Sequence, residues 1–105
     1  MAAVTGASDA RTLSAAGGGG RMTVISSAAQ GRAVVMPSGL QAGDGRSMRL
    51  WVIHAGTFRS VGLVDGDQPL LAEDVPAGAA LGMTDEPEGG SKQPTSAPVL
   101  SVDLT

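Results

Sequence analysis

The sequence predicts an all-β fold, an antiparallel β-sandwich of about seven to eight short strands with Greek-key-like connections. Three observations carry that expectation. Short apolar runs recur at near-regular spacing between turn residues. The 105 residues include 16 glycines and six prolines, which favours many short segments joined by turns over a few long helices. No window of about 11 residues keeps a helical i, i+3, i+4 pattern free of Gly or Pro.

Residues 1–10 offer little to pack and read as a flexible lead-in to a single domain over 11–105. Arg11–Ala16 reads as an edge strand, followed by a loop over Gly17–Gly20. Arg21–Ala28 places Met22 and Val24 on one face, and a break at Gln30-Gly31 joins it to Arg32–Met36 as a hairpin. Pro37 is expected to stop that pairing, because it has no backbone donor. Met48–His54 (MRLWVIH) is apolar on both faces, the pattern of a central strand. Ala55-Gly56-Thr57 turns the chain into Phe58–Val64, and Asp65-Gly66-Asp67 turns it again. Leu70–Ala72 and Ala79–Thr84 are short strands flanking a Pro-Ala-Gly turn. After a long loop, Val99–Leu104 alternates, with Leu100, Val102 and Leu104 inward. The expected core contains Leu50, Trp51, Val52, Leu81, Leu100 and Val102, with Trp51 as the core anchor between the sheets.

Charge and composition exclude several function classes. Ten acidic against seven scattered basic residues give a net charge of −3, with no clustered Lys and Arg for nucleic acid. Without cysteine there is no disulfide framework, thiolate metal site or Cys nucleophile. His54 is the only histidine, too few for a multi-histidine or structural zinc centre. No G-x-S-x-G elbow accompanies the serines and acids. Gly17–Gly20 and Gly89-Gly90-Ser91-Lys92 do not fit a phosphate loop, and Asp65-Gly66-Asp67 lacks the rest of a calcium loop. Neither catalytic nor metal-ligating nor cofactor-binding residues are assigned, and no cofactor is expected. Residues 1–20 lack the apolar run of a signal peptide, and no stretch approaches the ~18 apolar residues of a bilayer span. Any membrane anchor is expected to lie outside this chain.

The most distinctive stretch runs from Met83 to Thr95. Pro87 and Pro94 stiffen it, Gly89 and Gly90 permit positive φ, and Ser91 and Thr95 offer hydroxyls to neighbouring backbone. Thr84-x-Glu86-Pro87-x-Gly89-Gly90-Ser91-x-x-Pro94-Thr95, followed by an apolar strand, resembles the closing signature of the anti-sigma-K factor C-terminal domain. Leu50-Trp51-Val52-Ile53 is similar to that family's Leu-Trp strand, and Ser60-Val61-Gly62 stands where the family has a small residue and Gly. The resemblance covers about Arg21 to Leu104. Met48 stands where the family commonly has Tyr, and Asp85 where it has an aliphatic residue.

The resemblance implies a parent with a cytoplasmic helical part that binds an extracytoplasmic-function sigma factor, one transmembrane helix, and this outer domain. It implies an extracytoplasmic sensor that controls sigma-factor release through regulated proteolysis. The expected partners are an envelope protease, another envelope protein, or a second copy through an exposed strand edge. The rival reading is a sandwich-type ligand-binding or adhesion module of the envelope. The loop over 86–95 is either a clip for the final strand or a docking surface.

Overall fold

A computed structural model describes residues 8–17, 19–40, 45–87, 93–94 and 97–104. The described residues form eight strands and no helix: β1 (Arg11–Gly17), β2 (Gly20–Ser27), β3 (Arg32–Ser38), β4 (Arg46–His54), β5 (Thr57–Leu63), β6 (Leu70–Ala72), β7 (Ala80–Pro87) and β8 (Leu100–Asp103). They pair antiparallel in two four-stranded sheets, ordered β1-β2-β3-β6 and β5-β4-β7-β8. The chain changes sheet between β3 and β4, β5 and β6, and β6 and β7, the Greek-key-like wiring of the expected sandwich.

Strand alternation fills the space between the sheets. Met22 and Val24 of β2, and Ala33 and Val35 of β3, face Met48, Leu50 and Val52 of β4 and Leu81 and Met83 of β7 in one buried cluster. Leu100 and Val102 of β8 complete it, so the short final strand is held by its two inward side chains. β4 pairs with both β5 and β7, the central position that its two apolar faces predict.

Strand ends shift by a residue or two from expectation, as at Arg46 of β4 and Leu100–Asp103 of β8, and four departures have a physical cause. The β1–β2 ladder continues to Gly17↔Gly20, leaving only a two-residue connection where a longer loop is predicted. Glycine allows this because the backbones crowd: a β-carbon on Gly20 would stand 2.4 Å from the Ser38 carbonyl oxygen. Gln30-Gly31 is the second half of a four-residue turn closed by the Gly31 N–H donating to the Ala28 carbonyl at 3.2 Å. Pro37 stays in β3 opposite Met22. It is tolerated because β6 accompanies β3 only over Ala33–Val35, leaving that side of the ladder open at Pro37. β7 runs three residues past Thr84, because β4 begins at Arg46 and offers Met48, Ser47 and Arg46 to Asp85, Glu86 and Pro87.

The sandwich is closed along one seam, where β1 lies beside β8. There a β-carbon on Gly17 would meet the Val99 carbonyl oxygen at 2.4 Å. At the other seam Arg59 of β5 donates to the carbonyls of Glu73 (2.7 Å) and Asp74 (3.0 Å), tying sheet edge to crossover.

The β4–β5 hairpin turns through Ala55 and Gly56, both at positive φ (52° and 78°). A two-residue turn of that kind matches the twist of its strands but disfavours a residue with a β-carbon, Asn being the best tolerated after Gly. Ala55→Asn is therefore expected to stabilise the chain by about 0.5–1 kcal/mol, read as a higher urea midpoint at unchanged m-value.

Candidate functional site

Strand alternation that turns Leu50 and Val52 inward sends Trp51 to the opposite face of the same sheet. Trp51 is nevertheless fully buried. The expected core anchor is thus buried as predicted, but on the outward face of the β5-β4-β7-β8 sheet rather than between the sheets. Its Nε1–H donates to Thr84 Oγ1 at 2.8 Å, a buried bond between neighbouring strands. Phe58 of β5 meets its ring edge-on, with centroids 6.2 Å apart and an interplanar angle of 81°. The Arg49 guanidinium lies 5.8 Å from the indole centroid and donates to Ser60 Oγ.

The same outward face of β7 carries Gly82, Thr84 and Glu86, the last two with 0% exposure. Gly82 is opposite Trp51, and a β-carbon there would stand 2.9 Å from Ile53 Cδ1 and 3.4 Å from Pro98 Cβ. Pro98, on the approach to β8, therefore rests on this face, while the tight neighbour of a β-carbon at Gly82 would be the tip of the Ile53 side chain. One residue later the Val99 N–H donates to the Met83 carbonyl at 2.8 Å, which hands the chain into the β7–β8 ladder.

Of the signature residues, Thr84 lies in β7 as expected, Glu86 and Pro87 extend β7 where a loop is predicted, and Pro94 is half-buried. Gly89, Gly90, Ser91 and Thr95 fall outside the described residues. The structure thus joins Trp51 to Thr84 directly and puts Glu86 on the same face. Among the described residues no group of three or more His, Cys, Asp or Glu side chains converges to hold a metal ion.

A family model described as "Anti-sigma-K factor rskA, C-terminal" matches residues 1–99. The chain belongs to this family. It is 41% identical over 110 residues to a Streptomyces griseus protein described as "Uncharacterized protein in phr 5'region", an alignment covering 99% of this chain and 46% of that protein. The chain thus spans less than half the length of this curated relative. No solved structure matches.

By the family's description the chain is an anti-sigma factor C-terminal domain, a regulatory class. The two departures from the family pattern are locally accommodated. Met48 is buried in the core between the sheets. Asp85 accepts from Arg46 Nε at 2.8 Å while its backbone carbonyl accepts from Arg46 Nη2 at 2.8 Å, a partly exposed pair across β4 and β7.

A second polar cluster went unmarked in the sequence. Asp9 accepts from Ser27 Oγ at 2.7 Å and from the Ala29 N–H at 2.9 Å, fastening the chain ahead of β1 to the β2–β3 turn. Those two bonds, the Ala29 amide first, hold the Asp9 carboxyl below its ordinary range. An Asp and a Ser 18 positions apart give no local signal, since their meeting depends on β1 pairing with β2.

Two predictions follow from these contacts. Thr84→Val strands the Trp51 N–H in a buried site and is expected to cost about 1–3 kcal/mol. Adding Trp51→Phe should cost less than the sum of the two single changes, a coupling measured by a double-mutant cycle in urea. For Asp9 the native carboxyl is lowered, so its contribution is present above about pH 4 and is lost as pH falls through the lowered native value. The gap in unfolding midpoint between the wild-type chain and Asp9→Asn should therefore be full at neutral pH and close under acid.

Proposed function

We propose that this chain is the extracytoplasmic, signal-responsive domain of a membrane-anchored anti-sigma factor, and that its folded state governs proteolytic release of an extracytoplasmic-function sigma factor. The observation that carries this reading is the family match over residues 1–99. The parent's sigma-binding and membrane-spanning parts lie outside this chain, in which no described helix is long and apolar enough to cross a membrane. An envelope protease is the partner that acts on the parent.

On this reading the signature works through stability. Thr84 satisfies Trp51, Glu86 lies buried on the same face, and the segment leading to β8 closes against Gly82. The signature thereby clips β8 to β7, and a domain that stays closed keeps the protease from its cleavage site. Its regulatory role needs a fold that opens under a signal, and none of its residues has to perform chemistry.

The test uses the full-length parent beside a reporter driven by its sigma factor. A phosphatase fused to the end of this domain should be active only if the domain is exported; an inactive but intact fusion overturns the placement. Glu86→Ala should lower the urea midpoint of the isolated chain, raise signal-independent cleavage of the parent and switch the reporter on. If Glu86→Ala keeps wild-type stability while the response to signal changes, the signature is a docking surface instead. If the parent stays intact and the reporter silent even when the domain is unfolded by Trp51→Ala, the regulatory reading fails.

A further inference from the structure

At the end of the sandwich where β1 begins and β8 ends, the two sheets part around a cleft of about 260 Å³. One side is formed by Arg11 of β1 and Ser26 of β2, the other by Val75 and Pro76 of the β6–β7 crossover and by Leu104 beyond β8. Alternation along β1 puts Arg11 on the same side as Leu13 and Ala15, which pack on the core between the sheets. The strand thus continues inward-facing to the mouth of the cleft and ends there in a guanidinium.

The walls are fixed by backbone. The Val75 N–H donates to the Gly31 carbonyl at 2.8 Å, Ala79 to Pro76 at 3.2 Å, and Leu104 to Ala79 at 3.0 Å. These bonds tie the crossover to the β2–β3 turn on one side and to the end of β8 on the other. The cleft therefore exists before any ligand arrives, the usual condition of a binding site.

Its charges are asymmetric. Arg11 makes no ion pair or hydrogen bond with any described residue. The nearest acid in sequence, Asp9, is committed to Ser27 and Ala29, and Asp103, beside Leu104, has a partner of its own. A planar cation with no partner among the described residues, at the rim of an apolar cleft with the Ser26 hydroxyl beside it, matches a single planar anion carrying a short apolar body. Typical ligand pockets measure about 300–1,000 Å³, so this one admits only a small body.

We propose that this cleft binds a small apolar carboxylate, with the carboxylate on Arg11 and Ser26 and the apolar part against Val75, Pro76 and Leu104. Such a ligand bridges β1 and β2 to the β6–β7 crossover and to the residue that follows β8, so it favours the state in which these stay together. The same chemistry is carried by a free short-chain fatty acid and by the C-terminus of a peptide ending in an apolar residue. The inference concerns binding alone and holds or fails independently of the regulatory reading.

The experiment is an amide chemical-shift titration of this chain with pentanoate, with pentylamine as control, repeated with a tripeptide ending in valine and with its C-terminal amide. Saturable shifts confined to Ser26, Val75, Ala77, Gly78 and Leu104, and absent with pentylamine, are the expected result. Arg11→Gln, checked by circular dichroism for an unchanged fold, should weaken binding about tenfold or more, and Arg11→Lys should weaken it less. Ser26→Val, which removes the hydroxyl and narrows the cleft, should also weaken it. Tighter binding of the free-acid tripeptide than of pentanoate, lost on amidation, assigns the site to peptide C-termini; the reverse order assigns it to fatty acids. Shifts that fail to saturate, that appear elsewhere, or that survive Arg11→Gln unchanged overturn the proposal.

Discussion

The pairing of β4 with β7 is the constraint from which the rest of the sandwich follows. Each strand is buried on both faces: Met48, Leu50 and Val52 with Leu81 and Met83 toward the opposite sheet, Trp51 with Thr84 and Glu86 away from it. A two-sheet sandwich normally leaves its outward faces to water. Here the outward face of one sheet holds an indole that carries a polar N–H, so it requires both a cover and an acceptor. Thr84 is the acceptor, and it stands on the neighbouring strand at a position set by the β4–β7 register. A one-residue slip of that register would turn Thr84 inward and leave the indole unpaired.

Close backbone approach decides how the sheets meet. Gly17 lets β1 lie against the carbonyl of Val99, Gly20 lets the β1–β2 connection cross beneath Ser38 and Gly39, and Gly82 leaves room for the Ile53 side chain on the Trp51 face. In each case a β-carbon would come within about 3 Å of a neighbouring atom. The high glycine content is thus partly a packing requirement at seams, beyond its role in turns such as Gly56 and Gly66, which sit at positive φ with open space around them.

For a regulatory domain of the anti-sigma-K factor family, this arrangement ties the signature to the fold. Thr84 and Glu86 are buried members of β7; Thr84 accepts the Trp51 N–H, and between them and Gly82 the Met83 carbonyl accepts the Val99 N–H at the entry into β8. The last strand has only four residues and two inward side chains, Leu100 and Val102. Its attachment rests on the β7 edge and on the Gly17–Val99 seam.

Alternation and turn residues alone determined the all-β class, the order of the strands, the central place of Met48–His54 and the inward set Leu50, Val52, Leu81, Leu100 and Val102. Those features are local: a period of two and a Gly or Pro at a turn are legible one segment at a time. The signature residues were legible by resemblance, but their placement was not. Whether Glu86 and Pro87 belong to a loop or to a strand depends on how far β4 extends to meet them, and whether Trp51 faces the second sheet depends on which of two apolar faces turns inward. Pro37 read as a strand breaker and is instead housed beside an open edge, because β6 is too short to reach it. The Asp9 clamp and the Arg11 cleft are likewise invisible in the linear chain. All of these were decided by register between strands distant in sequence, where the free energy of burial is shared across partners that no single segment contains.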